Sequence, residues 1–148
     1  MIQDIKDAAA VGITTFITNS DEKIETQLNR LTKEEELPIA LVSWNITAQV
    51  AFNPDGTLAN PLAAIVMLVL SKPDDRSKDT HEDVSEQMSS LYIDFLQKLN
   101  GDMVIHSRTP EPAVSGANFK LVPNYGKGKH SGVLGKFNVI VRLPENSC

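Results

Sequence analysis

Cysteine is nearly missing from these 148 residues: one is present, Cys148, at the last position. A lone cysteine excludes an intramolecular disulfide and points to a reducing compartment. Aromatics are scarce at 5%, so the core has to be built mostly from aliphatic side chains. Positive charge is outweighed, with 14 Lys and Arg against 19 Asp and Glu and a net charge of −5. That balance argues against broad, non-specific binding of nucleic acid, which needs dense positive charge; it leaves room for one local basic loop. Long apolar runs are also missing. The longest, Leu62 to Leu70, has nine residues, well short of the roughly 20 that a bilayer-spanning helix requires. The opening "MIQDIKDAAAVG" has no basic start leading into an apolar stretch, so no signal peptide is expected. The expectation is a soluble chain made in a cytoplasm, with no membrane partner.

Hydrophobic residues make up 41% and charged residues 22%, an ordinary balance for a folded chain. A chain of this length buries roughly 70% of its unfolded surface and needs no metal or disulfide staple. No internal repeat or long linker divides it, so residues 1–148 are expected to form a single domain.

Ile2, Ile5, Ala9, Ile13 and Phe16 recur at steps of three and four, which predicts a helix through about Val11 followed by an extended stretch. The β-branched "GITTFIT" (12–18) reads equally as a short strand. Ile24, Leu28 and Leu31 predict a second helix near 21–31, capped by Asn19 or Asp21. "PIALVSW" (38–44) reads as a buried strand, with Trp44 in the core. "NITAQVAF" (45–52) alternates, "NPDG" (53–56) is a strong turn, and 57–70 returns. Together these predict a long β-hairpin over about 45–70 whose outer part projects. Pro61 lacks the ladder donor, so an edge or bulge is expected there. Val84, Met88, Leu91, Phe95 and Leu99 form the clearest helical stripe, predicting a helix over about 80–99 capped by Thr80 and stopped by Asn100-Gly101. Short strands are expected at "MVIHSR" (103–108) and "NFKLV" (118–122), loops at 109–116 and 123–132, and a closing strand at 133–143. The fold class is therefore α+β: a mixed or antiparallel sheet with a long β-hairpin, packed against one main helix and the N-terminal helices. The run Ala63–Leu70 needs cover on both faces. The main helix supplies one; the N-terminal helix, the 21–31 helix or a neighbouring subunit supplies the other.

Candidate chemistry is thin. His81, His106 and His130 have no metal-ligand partner at useful spacing, and "DTHEDVSE" lacks the second His of a zinc helix. His106 alternates with Ile105 on the expected strand. "GKGKHSGVLGK" does not meet the phosphate-loop spacing, because Gly135-Lys136 is followed by Phe137. Its plain reading is a hairpin loop; its functional reading is a contact loop in which Lys127, Lys129, His130 and Lys136 meet phosphate or an acidic partner. The acids at 74, 75, 79, 82 and 83 lack the central Gly of a calcium loop. Ser43, Ser71, Ser131 and Cys148 have no nucleophile context. No catalytic residue, cofactor site or metal site is expected.

The order of parts resembles the small tail-terminator and tail-completion proteins of tailed bacteriophages, which sit at the head–tail junction or tail end. The matching stretches are 2–31, "PIALVSW" through "AAIVMLVL", "HEDVSEQMSSLYIDFLQKL" and "SGVLGKFNVIVRL". The resemblance implies a non-enzymatic virion protein assembled in the host cytoplasm as a sixfold or twelvefold ring. Its partners would be copies of itself and the neighbouring portal, connector or tail-tube proteins, with DNA passing through the lumen. The resemblance transfers no individual residue. Asn53, Pro54, Asp55 and Gly56 at the tip, with Lys127, Lys129, His130 and Lys136, are the candidates for subunit interface or lumen. A non-catalytic adaptor gripping one protein through the hairpin edge is the alternative, with a small α+β enzyme or ligand module as the third.

Overall fold

The continuous apolar runs at 39–43 and 62–71 become strands, and the three-four stripes at 2–9 and 81–106 become helices. The computed structural model describes residues 2–10, 12–19, 37–43, 48–49, 51–59, 61–72, 80–106, 111–125 and 130–140. The elements are α1 (Ile2–Ala9), β1 (Thr15–Asn19), β2 (Ile39–Ser43), β3 (Ala48–Gln49), β4 (Leu62–Ser71), α2 (His81–His106), β5 (Val114–Tyr125) and β6 (His130–Ile140). The strands form one sheet in the order β1-β2-β4-β6-β5. β3 sits beside the Leu62–Ala63 end of β4, on the side that β2 takes further along. β1 and β2 run parallel, whereas every other pairing is antiparallel. The architecture is α+β with a mixed sheet, one main helix packed on it and a short N-terminal helix.

β4 is central, and its apolar run is divided between two cores. Ala63, Ile65, Met67 and Val69 face α2, where Val84, Met88, Tyr92, Phe95, Leu99 and Met103 roof them. Leu68 and Leu70 point the other way, into a cluster with Ile39, Leu41 and Val122. Burying one such aliphatic side chain stabilises the fold by roughly 1.5–3 kcal/mol. α1 adds Ile5, Ala8 and Ala9 to the α2-side cluster, which Ile13 also joins. The N-terminal helix thus lies on the same side as α2 and does not cover the opposite face. It ends at Ala9, and Phe16, the last member of its apparent stripe, belongs to β1 and packs half-buried on the same core. The expected 21–31 helix, Trp44 and the acids at 74, 75 and 79 lie outside the described residues.

Three expectations are corrected. First, α2 does not stop at Asn100-Gly101; it continues to His106, so "MVIH" is helix rather than strand. A glycine inside a helix costs about 1 kcal/mol. Burying Met103 on the continuing stripe contributes roughly 1.5–3 kcal/mol, which outweighs it, and Lys98 pairs with Asp102 at 2.8 Å across the break. Asn100 does not cap the helix: its Oδ1 accepts the N–H groups of Ala113 (2.8 Å) and Val114 (3.1 Å). Second, β5 reaches from Val114 to Tyr125, taking in the end of one expected loop and the start of the next. Third, the closing strand starts at His130, not Val133. The start of α2 is as read. Thr80 Oγ1 accepts the Asp83 N–H at 3.2 Å and Asp83 Oδ2 accepts the Thr80 N–H at 2.9 Å, the reciprocal pair of a capping box.

Candidate functional site

The hairpin tip is built by its own short sequence. Asn53 N–H donates to the Thr57 carbonyl at 2.7 Å, and Gly56 N–H to the Asn53 carbonyl at 2.9 Å. This closes a three-residue loop, Pro54-Asp55-Gly56. Proline presets the first φ, and Gly56 takes the positive φ of 87° that the last position requires. Below the loop, Phe52 bridges Leu58 across the arms, and Ala59 N–H donates to the Ala51 carbonyl at 2.8 Å. The Phe52–Leu58 and Gln49–Leu62 pairs are offset by one residue. The returning arm therefore counts one more residue than the outgoing arm between these two pairs.

Side chains lock the tip. Asp55 Oδ1 accepts from the Thr57 hydroxyl at 2.6 Å and from the Thr57 N–H at 3.0 Å, and Asn53 Nδ2 donates to Thr57 Oγ1 at 2.9 Å. The Thr57 hydroxyl, and then its backbone N–H, hold the Asp55 carboxyl below the ordinary carboxylate range. The result is an exposed, ordered, anionic tip. Phe52 at its base is 73% exposed and Leu58 44%.

A second surface lies on β5 and β6, on the face turned away from α2. Cross-strand pairs Asn118–Lys136 and Lys120–Leu134 line an open hollow of about 360 Å³ together with Phe119. Lys120 and Lys136 are exposed and Leu134 is half-buried between them. β5 ends the sheet, and among the described residues no strand pairs with its outer edge. Phe119 and Leu121 on its α2 side are each 43% exposed, and Phe119 meets Tyr92 edge-on at 6.0 Å.

Of the basic residues expected to share one loop, the two that are described, His130 and Lys136, both lie on β6. Lys136 stands in the middle of β6, opposite Val66 of β4. His130 is a buried strand residue, only 7% exposed, because β6 begins there. Lys127 and Lys129 lie outside the described residues. His106 is exposed at the helix end rather than on a strand. The tip residues Asn53, Pro54, Asp55 and Gly56 are all exposed, on the turn expected for them.

Sequence reasoning missed one pairing. His81 Nδ1 lies 2.5 Å from Ser131 Oγ, across 50 residues of chain. Ser131 is fully buried, so its hydroxyl is not placed to meet a substrate. The bond ties the start of α2 to the start of β6. No spacing rule could have revealed it. A recess of about 60 Å³ between α1 and α2, lined by Ala8, Ala9, Gly12, Ile13, Leu91, Asp94 and Phe95, is far below the roughly 300 Å³ at which ligand pockets begin. Among the described residues, no group of three or more His, Cys, Asp or Glu could hold a metal ion, and no helix is long and apolar enough to cross a membrane. No protein-family model matches the chain, and no curated protein matches it.

Proposed function

We propose that this chain is a non-enzymatic structural subunit of a tailed-bacteriophage virion. It forms a sixfold or twelvefold ring at the head–tail junction or tail end, in the manner of a tail terminator or connector. The observation that carries the reading is the hairpin tip. It is ordered by its own hydrogen bonds, stands outside the core, and pairs an exposed Phe52 with an exposed Leu58. Such an apolar pair on a preorganised loop suits an anchor for another chain, since little entropy remains to be lost on docking. The element order, with a short first helix, a long hairpin, a main helix and closing strands, supports the same reading. In it the partners are copies of this chain and the adjoining portal, connector or tail-tube proteins. DNA passes through the lumen, and no cofactor takes part.

Light scattering and negative-stain microscopy of the purified chain test this. The expected particle has six or twelve times the subunit mass of 16.2 kDa and a central hole. Replacing 51–59 by a two-residue turn should leave a folded monomer. A wild-type chain that stays monomeric at every concentration overturns the ring. A shortened chain that still forms rings of native size overturns the role of the hairpin. The free edge of β5, with Phe119 and Leu121 exposed beside it, favours a second reading: an adaptor that adds one strand or loop of a single protein partner to that edge. It calls for a monomer alone and a one-to-one complex with its partner.

A further inference from the structure

We infer that the hairpin tip of one copy docks into the Lys120–Lys136 hollow of the next. Phe52 then lies over Leu134, and Asp55 sits between the two lysines. The inference rests on the ring reading and names the contact that would build it.

Three observations select a second copy as the occupant. The first is charge. The hollow carries two exposed lysines on a chain whose net charge is −5, and the tip carries the exposed Asp55 carboxylate, held in place by its bonds from Thr57. The second is polarity within each surface. Leu134 forms an apolar floor between Lys120 and Lys136, and the tip likewise sets apolar Phe52 and Leu58 beside a single anionic residue. A nucleic-acid backbone would answer the lysines but not the leucine. The third is position. The tip extends beyond the Leu62 end of β4, whereas Lys136 pairs with Val66, inside the sheet, and Lys120 lies one strand further out. The two patches occupy different parts of the molecule. A contact between them is head-to-tail, the kind that closes into a ring when the rotation permits. Exposed ion pairs contribute little by themselves. Phe52 burial therefore supplies the affinity, and the Asp55–lysine pairing sets orientation and register.

Charge exchange tests the contact. Asp55→Lys alone and Lys120→Glu with Lys136→Glu each place like charges opposite one another. Each should raise the subunit dissociation constant about tenfold or more, read by sedimentation velocity at low salt. Combining Asp55→Lys with Lys120→Glu and Lys136→Glu should restore assembly. Phe52→Ser should weaken it without altering its salt dependence. The lysine variants leave the tip untouched, so their effect does not depend on how Asp55→Lys folds the loop, and circular dichroism should show all variants folded. Rings indifferent to the single reversals, or reversals that the combined variant fails to rescue, overturn the docking while leaving the ring reading standing. Lysine variants that assemble normally but lose binding to a duplex DNA probe overturn it in favour of a nucleic-acid contact. A wild-type chain that never assembles removes the ring reading itself and the docking with it.

Discussion

Gly135→Ala is the sharpest probe of how α2 sits on the sheet. A Cβ at Gly135 would lie 2.7 Å from Tyr92 Cε2 and closer still to its Cζ and Oη. Tyr92 is fully buried, and its ring has Phe95, Phe119 and Phe137 at centroid distances of 6.3, 6.0 and 6.4 Å. The ring cannot swing aside without disturbing all three. Overpacking of this kind costs roughly 1–3 kcal/mol. Replacing glycine by alanine also stiffens the unfolded chain, which offsets about 0.4–1 kcal/mol. The net loss is about 1–2 kcal/mol, which for a domain of this size lowers Tm by roughly 2–8 °C. The decisive measurement is a double-mutant cycle followed by thermal circular dichroism. Tyr92→Ala alone should cost about 3–5 kcal/mol, as for other large-to-small aromatic changes. In that background the obstruction is gone, and Gly135→Ala should change sign, becoming neutral or stabilising by up to about 1 kcal/mol. If Gly135→Ala stabilises the wild-type chain as much as the Tyr92→Ala chain, the ring does not lie over Gly135 and the seat of α2 described here is wrong.

Asn100→Ala strands two backbone donors, the N–H of buried Ala113 and of Val114. It should destabilise by about 1–3 kcal/mol for each donor left without water, read from urea midpoints, while Asn100→Asp, which keeps the acceptor, should lose less. Asp55 should titrate below an ordinary carboxylate by NMR, and Thr57→Val should return it toward the ordinary value by removing the first of its two donors. Because its folded pKa is depressed, the order it lends the tip is fully present above the unfolded value, near 3.9, and is lost as pH falls through the lower folded value. An Asp55 that titrates identically in both chains would remove Thr57 as the cause.

Much of this architecture was legible because local and tertiary signals agreed. "IALV" and "AAIVMLVL" have no polar residue, and each lies in a strand that buries side chains on both faces: Ile39 to Val42 in β2, and Ala63, Ile65 and Met67 to Leu70 in β4. Thr80 named the start of α2, where it and Asp83 cap each other. The failures share one cause, in which a distant partner outweighed a local stop signal. Asn100-Gly101 has the chemistry of a helix end, yet the Asn100 carboxamide is taken by the start of β5 and Met103 finds a place in the core. "SGVLGK" reads as a mobile glycine-rich stretch. Gly135 is there because Tyr92 lies against it, and His130 and Ser131 are covered on a strand. Loop composition and close-packed strand composition are alike when glycine serves a neighbour's side chain rather than a turn.

The candidate site divides along the same line. The turn could be read from "NPDG", and the bonds that order it, those to Thr57 included, all lie within five residues. The hollow could not, since it pairs Lys120 with Leu134 and Asn118 with Lys136 through strand register alone. That register also limits what can bind there. β5 is irregular between Ser115 and Asn118 and again between Val122 and Tyr125, and bulges of this kind turn an edge away from extended pairing. The regular stretch between them, Asn118 to Val122, is five residues long and holds both the lysine-lined hollow and the exposed Phe119 and Leu121. A long strand added to this edge would meet a bulge at each end. An added segment confined to Asn118–Val122 would meet neither.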